Sequence, residues 1–387
     1  MASRSRLRLP WAVPAVALIG VLGVGAVPHV FSNASSASPD LPVLTPAELL
    51  AKARTAQVTG LSGTITLDSW LGLPALSSVP GLALGSAGSL TSLVSGKHSA
   101  TVAIDGADHL RFATAAPLAE TNWIRNGTDL WSYDSASQRT LHFALSGDAQ
   151  TATLPPQSTT SVPDPAHETP ADFAKELLDK VTPSTDVTVA APPYVAGRAV
   201  YELVLAPHAP DSTVHDVTIS VDAATGLPLD VQVTARSTGK LALEFGFTDI
   251  SFDTPAASTF AFTPPPGSSV VEASTITEFL TGGPARHHRD RAPGAAAHPT
   301  PPATTAQPDL GPVTVGADWS RVVILPPGTA PSQLSALLAN APSVTIGSSQ
   351  GRLLSTTLFN VVLLDDGRAA VGAIDAGALE AAVAAAR

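Results

Sequence analysis

The chain has 387 residues, enough for one to three domains with a sizeable apolar core. Its formal net charge of −11 disfavours contact with nucleic-acid phosphates, so we expect no nucleic-acid partner. The absence of cysteine excludes disulfides, thiolate metal sites, cysteine nucleophiles and an acylated N-terminal cysteine.

The first predicted element is an export signal. Three arginines in the first eight residues precede an uncharged, mostly apolar run at 11–31, a pattern typical of segments that direct export. Residues 1–31 are therefore predicted to be a signal peptide or an N-terminal transmembrane anchor, followed by a spacer at 32–44. The rest of the chain is then exported to the cell envelope, either membrane-anchored and facing outside or secreted after cleavage.

Two short helices are predicted from the same N-terminal pattern. In TPAELLAKARTAQ, residues 45–57, a threonine N-cap, a proline in the first helical position and a glutamate three residues after the cap form a capping box. TPADFAKELLDKV, residues 169–181, repeats this pattern with an aspartate. Its periodicity places Phe173, Leu177 and Val181 on one face.

Most of the remaining chain as far as residue 275 is predicted to be β-strand. Its strands alternate in polarity, which indicates that each buries one face, and the loops between them are of hairpin length. Eleven strands are predicted: ITL (65–67), SATVAID (99–105), HLRFAT (109–114), ETNWIR (120–125), TDLWSYD (128–134), QRTLHFAL (138–145), TDVTVA (185–190), RAVYELVLA (198–206), TVHDVTISVD (213–222), LPLDVQVTAR (227–236) and KLALEFGFTDISF (240–252).

An uncharged segment interrupts this pattern at residues 70–96. Its prolines and glycines exclude a long regular element, and it is too apolar to lie bare in water. We predict that it forms a lid over an apolar cavity. The predicted lid residues are Trp70, Leu71, Leu73, Leu82 and Leu84.

The C-terminal quarter divides into a linker and a small unit. Residues 276–312 are rich in proline, alanine and glycine and are predicted to be a disordered linker. The histidines and arginines at 285–291 are interpreted as a solvated basic patch rather than a metal or anionic-lipid site. Residues 313–387 are predicted to form a small α/β unit with a first strand, a short helix, a hairpin and a terminal helix.

The sequence contains none of the common catalytic or nucleotide-binding motifs. It has no G-x-S-x-G, H-E-x-x-H, Walker loop or G-x-G-x-x-G. We therefore expect a protein that is not an enzyme, with no catalytic residues, no metal ligands and no cofactor.

The hairpin at 120–134 carries bulky side chains on both faces. If its Asn-Gly pair is a two-residue turn, one face holds Ile124, Trp131 and Tyr133, and the other holds Trp123 and Leu130. Aromatic residues on a strand are common in a closed sandwich core, which is one interpretation. The other is a sheet with one apolar face that lines a cavity, which the 44% apolar and 14% charged composition favours.

The cavity interpretation names its lining residues. Trp131 and Tyr133 are predicted to point into the cavity, with Leu141 and Phe143 of the next strand beside them. The predicted lining residues are Ile65, Leu67, Val102, Ile104, Leu110, Phe112, Trp131, Tyr133, Leu141, Phe143, Leu203, Leu205, Leu243, Phe245 and Phe247.

The stretch IRNGTDLWSYD, residues 124–134, with the strand pair that precedes it, resembles the core of LolA-like lipoprotein carriers and of the N-terminal domain of RseB-type sensors. The shared pattern is a glycine turn, then Leu-Trp-x-Tyr, then a second turn. The resemblance covers residues 45–275. It implies a mainly β (α+β) fold, a LolA-like half-barrel of about eleven antiparallel strands with covering helices, and a cavity for acyl chains. Trp319, followed by Leu325-Pro326-Pro327-Gly328, resembles the second domain of RseB-type sensors.

The function expected from these features is extracytoplasmic binding and carriage of lipid or lipoprotein acyl chains, with the membrane as a partner. An alternative is an RseB-like envelope-stress sensor whose partner is a membrane protein such as an anti-sigma factor. A third class is a hydrolase that acts on envelope material.

Overall fold

The computed structural model describes residues 38–72, 95–116, 119–145, 169–178, 183–273, 311–330 and 332–386. In these residues the protein is mainly β, with a large antiparallel-rich sheet, a smaller sheet and few helices. The predicted signal or anchor at 1–31, nearly all of the linker at 276–312 and the predicted lid residues Leu73, Leu82 and Leu84 lie outside the described residues.

The helices of the described residues are α1 (Pro46–Thr55), α2 (Pro170–Leu178), α3 (Ser332–Leu338) and α4 (Ala376–Ala385). The strands of the large sheet are β1 (Gly60–Trp70), β2 (Ser95–Asp105), β3 (His109–Ala116), β4 (Ala119–Asn126), β5 (Asp129–Asp134), β6 (Arg139–Ala144), β7 (Thr185–Ala190), β8 (Tyr194–Val195), β9 (Arg198–Pro207), β10 (Val214–Asp222), β11 (Pro228–Ala235), β12 (Lys240–Ser251) and β13 (Ser269–Glu272). The strands of the small sheet are β14 (Val313–Val315), β15 (Val322–Leu325), β16 (Ser343–Ile346), β17 (Ser349–Ser355), β18 (Asn360–Leu364) and β19 (Ala369–Gly372).

Both predicted N-caps are present. The Thr45 backbone N–H donates to the Glu48 carboxylate at 2.8 Å, and the Glu48 N–H donates to Thr45 Oγ1 at 3.3 Å, which completes the capping box of α1. At the start of α2 the Asp172 N–H donates to Thr169 Oγ1 at 3.2 Å. These caps satisfy backbone donors that a helix leaves without intrahelical partners, and so they fix where each helix begins.

The large sheet has two open edges in the part of the chain that is described. The strand order is β13-β6-β5-β4-β3-β2-β1-β12-β11-β10-β9-β7, with β8 beside β9. The sheet therefore does not close into a barrel. It contains thirteen strands rather than the predicted eleven, because the sequence did not indicate β8 or β13. Unlike its neighbours, β13 pairs in parallel with β6.

One face of this sheet, hereafter the helix face, packs against α1 and α2. Helix α2 lies on β11 and β12, and α1 lies on β7, β9 and α2. The buried helix residues are Leu49 and Ala53 of α1 and Ala171, Ala174 and Leu178 of α2. The side chains of Phe173 and Leu177, predicted for the buried stripe of α2, are not among those described, and Val181 lies beyond the described residues.

The opposite face, hereafter the outer face, is covered in part by the segment that follows β12. Phe260 in this segment is 1% exposed, and its ring lies 5.4 Å from that of His109 on β3. The Arg111 guanidinium, also on β3, donates from Nη1 to the Thr259 carbonyl at 3.1 Å. From the end of β12 at Ser251, this segment therefore crosses the outer face of the sheet and leads the chain to β13.

The C-terminal unit is a six-stranded sheet, ordered β14-β15-β19-β18-β17-β16, with α3 and α4 packed on it. It contacts the large sheet at the loop between β9 and β10, at β7 and at the end of β1. The Thr213 N–H donates to the Ala373 carbonyl at 3.0 Å, and Trp319 Nε1 donates to Thr185 Oγ1 at 2.8 Å. Leu358 is buried in the same apolar core as the helix face, so the two sheets share part of one core.

Candidate functional site

Cross-strand pairing aligns the side chains of the helix face in rows across β2 to β6. Residues directly opposite each other in an antiparallel pair lie on the same face. The register pairs Ile104 with Leu110, Leu110 with Arg125, Arg125 with Leu130 and Leu130 with Phe143. All five residues of this row are only half-buried, and we call it the half-buried row.

A second row lies beside it, one step further along the strands. It consists of Val102, Phe112, Trp123, Ser132 and Leu141. Phe112 is 1% exposed and Leu141 is 5% exposed, whereas Trp123 is half-buried. Trp123 packs both against the main core and against a small cluster that includes Leu130 and Phe143. The second row therefore connects the half-buried row to the main core.

The same apolar face continues beneath the helices, where it is almost fully buried. Leu203 and Leu205 of β9 are completely buried, and Phe247 of β12 is 3% exposed. The apolar side chains beneath the helices are therefore almost fully buried, whereas those of the half-buried row at β2 to β6 stay partly exposed. The predicted lining residues that share the helix face are Ile65, Leu67, Val102, Ile104, Leu110, Phe112, Leu141, Phe143, Leu203, Leu205, Leu243, Phe245 and Phe247.

Trp131 and Tyr133 lie on the outer face, away from the other predicted lining residues. Trp131 pairs with His142 and stacks on its imidazole, with ring centroids 3.9 Å apart. The rings of Trp131 and Tyr133 also lie near the ring of Phe262, at centroid distances of 5.6 and 6.1 Å. The expectation that Leu141 stands beside them is wrong, because Leu141 pairs with Ser132 and so points to the helix face.

Phe143 is placed in the same way. It pairs with Leu130 and therefore points to the helix face, not to the side of Trp131 and Tyr133. The sequence spacing was correct, since each pair is two residues apart on its strand. The prediction failed because it assumed the wrong alignment of β6 against β5. Alternation within one strand does not determine that alignment.

The two described residues of the predicted lid occupy different environments. Trp70 is 46% exposed, whereas Leu71 is 5% exposed and belongs to the main core. Their carbonyls accept hydrogen bonds from Thr357, Trp70 from Oγ1 at 3.1 Å and Leu71 from the backbone N–H at 3.0 Å. The end of β1 is therefore attached to the C-terminal unit.

A single cation interrupts the half-buried row. Arg125 Nη2 donates to Asp108 Oδ1 at 2.8 Å, and Nε donates to the Gly127 carbonyl at 3.3 Å. The Arg125 side chain is 30% exposed and that of Asp108 is 65% exposed. The sequence did not single out Arg125, because only the cross-strand register shows that leucines flank it on both sides.

The outer face holds a second feature that the sequence did not indicate, a group of acidic side chains. Asp230 is 4% exposed and accepts a hydrogen bond from Gln232 Nε2 at 3.0 Å. Burial, with a smaller contribution from the charge of Glu244, raises the pKa of Asp230 to about 7. Burial also raises the pKa values of Glu244 and Glu202. Alternation on β11 predicts that Asp230 faces solvent. Its burial could not be read from the sequence, because it depends on the register that places Gly246, a residue without a side chain, opposite it.

Among the described residues, no group of three histidine, cysteine, aspartate or glutamate side chains is placed to hold a metal ion. No helix in the described part of the chain is both long enough and apolar enough to cross a bilayer.

Comparison with known proteins gives structural likeness only. No family model and no curated protein matches this sequence. The Pseudomonas aeruginosa MucA/MucB complex includes a chain with a TM-score of 0.32 and 15% identity, the match covering 86% of this chain and 94% of that one. A LolA superfamily protein from Nitrosomonas europaea has a TM-score of 0.22 and 12% identity, over 57% of this chain and 99% of the other.

A putative outer membrane lipoprotein-sorting protein domain from Vibrio parahaemolyticus has a TM-score of 0.19 and 13% identity, over 55% of this chain and 92% of the other. The structural neighbours thus include MucB and a LolA superfamily protein. This similarity concerns the fold, and it says nothing about what this chain binds.

Proposed function

We propose that this protein binds lipid or lipoprotein acyl chains along the helix face of β2 to β6. The observation that supports the proposal is the half-buried row at the margin of a continuous apolar face. Apolar side chains that are half-buried at the edge of a core can bury further surface when an apolar ligand arrives. The proposed role is binding and carriage, without chemical conversion of the ligand.

The burial gradient indicates which part of the face is available. Beneath α1 and α2 the leucines of β9 are already completely buried, so they gain little from a ligand. Ile104, Leu110, Leu130 and Phe143 keep part of their surface exposed. Apolar area removed from water contributes about 25 cal/mol per Å². An acyl chain would therefore gain most of its binding free energy at the half-buried row.

Export supports the same proposal. The arginine-rich start and the apolar run at 11–31 would place the binding domain outside the cytoplasmic membrane. Acyl chains of envelope lipids and lipoproteins are then the apolar ligands at hand, and the membrane is the source and destination of the cargo.

A titration with an anthroyloxy-labelled stearate tests this proposal. We expect saturable binding by the wild type, and a dissociation constant raised at least about tenfold by Leu110→Asn, which removes apolar contact and adds an amide to be desolvated. Ala113→Asn is the matched control, because Ala113 lies on the same strand but on the outer face and is also half-buried. Equal effects of the two substitutions, or no saturable binding by the wild type, would contradict the proposal.

A second candidate function is regulation of a protein partner, such as an anti-sigma factor, through the C-terminal unit. MucB, a structural neighbour, has been solved in complex with MucA. The observation in this chain that favours regulation is the attachment of Thr357 to the end of β1, the strand that also contributes Ile65 and Leu67 to the helix face. Hydrogen exchange tests it: stearate should change the protection of residues 356–359, and unchanged protection in the lipid-bound protein would exclude this coupling.

A further inference from the structure

We propose that Arg125 binds the carboxylate of a free fatty acid whose acyl chain lies along the half-buried row. This inference rests on the proposed function, and it adds the ligand's headgroup and the residue that selects it. The structure gives three reasons, which concern the position of the arginine, the donors of its guanidinium and its electrostatic surroundings.

The first reason is that Arg125 stands between two leucines on an otherwise apolar row. Leu110 is opposite it on β3 and Leu130 is opposite it on β5. The aliphatic stem of an arginine can lie along such a surface while the guanidinium remains at its edge. An acyl chain in contact with the two leucines would therefore have its polar end close to the guanidinium.

The second reason is that part of the guanidinium is available. Nε and one N–H of Nη2 are engaged by the Gly127 carbonyl and Asp108. Nη1 has no hydrogen-bond acceptor among the residues that the structure describes. The edge formed by Nη1 and Nη2 can still donate two parallel hydrogen bonds, which match the two oxygens of a carboxylate. One planar monoanion satisfies this edge.

The third reason is that Asp108 neutralises Arg125 only weakly. Its side chain is 65% exposed, and exposed ion pairs contribute little to stability because water screens them. The chain as a whole carries a net charge of −11. It therefore repels an anionic ligand except where a local cation attracts it. Arg125 supplies that cation at the row where apolar surface is exposed.

The helix face offers a matched control residue. Arg139 of β6 pairs with Asp134 and so lies on the same face as Arg125. It is also half-buried. It lies four residues along β6 from Phe143, about 13 Å from the half-buried row. A charge effect that is general to this face would involve both arginines, whereas headgroup binding involves Arg125 alone.

The test is isothermal titration calorimetry with laurate and with methyl laurate, which has the same chain without the charge, at neutral pH. We expect the wild type and Arg139→Gln to bind laurate at least about tenfold more tightly than methyl laurate, since hydrogen bonds to charged groups are strong. Arg125→Gln should abolish this preference, so that laurate and methyl laurate bind with similar affinity. Arg125→Lys should retain part of the preference, because the charge remains while the paired donors are lost.

The outcomes separate this inference from the proposed function. If the wild type binds neither compound, the proposed function fails. If it binds both equally, or if Arg125→Gln keeps the preference for laurate, the assignment of Arg125 is overturned while the proposed function stands. A preference that is seen only for phosphatidylglycerol over a neutral lipid, and not for laurate over its ester, would overturn the choice of a carboxylate headgroup.

Discussion

Asp230 should make this protein less stable as the pH rises from acidic to slightly alkaline values. Asp230 is 4% exposed on the outer face, and burial raises its pKa from 3.8 to about 7. Between these two values the folded protein keeps a proton that the unfolded chain releases. The unfolded state is therefore increasingly favoured as the pH rises through this range, and the effect ends above the folded-state pKa.

The size of the effect follows from the two pKa values. Between about pH 5 and about pH 8, proton linkage for this single group lowers the free energy of unfolding by roughly 2.5 kcal/mol. Glu244 and Glu202 also have raised pKa values and act in the same direction. Asp222 and Asp366 have lowered pKa values, and the stability that they contribute is lost only as the pH falls below the usual carboxyl range. Between about pH 5 and about pH 8 these two carboxyls with lowered pKa values therefore do not change the stability.

Urea unfolding at both pH values measures this difference. In Asp230→Asn, the loss of stability between the acidic and the alkaline condition should be smaller than in the wild type by about 2 kcal/mol. Asp249→Asn removes an exposed acid of the neighbouring strand β12 and should leave the wild-type difference unchanged. If Asp230→Asn retained the full pH dependence, the argument that Asp230 holds its proton in the folded state would be refuted.

Three further predictions concern the fold. Gly63→Ala should cost more than about 2 kcal/mol, because a Cβ there would lie 2.3 Å from the Asp249 carbonyl oxygen; Gly311→Ala, at a glycine with open space around it and no positive φ, is the control, and equal melting temperatures would contradict the clash. Thr45→Ala should cost about 1 kcal/mol through loss of the α1 cap, and a cost near zero by urea denaturation would mean that the cap is dispensable. Trp319→Phe should cost about 1 kcal/mol, because its Nε1 no longer donates to Thr185; calorimetry that shows no change would remove this bond from the contact between the two sheets.

Local signals predicted the helices and most strands. The threonine caps at 45 and 169 act within three residues, and the hairpin loops join strands that are adjacent in sequence, so short-range chemistry was sufficient. β13 was missed for the opposite reason. It pairs in parallel with β6, more than a hundred residues earlier in the chain, and no local pattern encodes that partner.

The aromatic hairpin shows how far the site could be predicted. A two-residue turn at Asn126-Gly127 predicts that Trp131 pairs with Asn122. Trp131 pairs with Ile124 instead, because the turn residues are Gly127 and Thr128, so the predicted register was displaced. The displacement still placed Ile124, Trp131 and Tyr133 on one face, as predicted, because it preserves the alternation of side chains. Which of the two faces meets the helices is decided by the packing of α1 and α2 on distant strands. Bulky residues on both faces of β4 and β5 left that choice open.

The face that contacts an acyl chain can be measured with two single-tryptophan variants. One retains Trp123 on the helix face and the other retains Trp131 on the outer face, with every other tryptophan replaced by phenylalanine. Bromine on an acyl chain quenches only a nearby indole, so a brominated stearate identifies the occupied face. We expect it to quench Trp123 fluorescence in a saturable manner and to leave Trp131 unchanged. Saturable quenching of Trp131 alone, or of neither tryptophan, would contradict binding at the helix face.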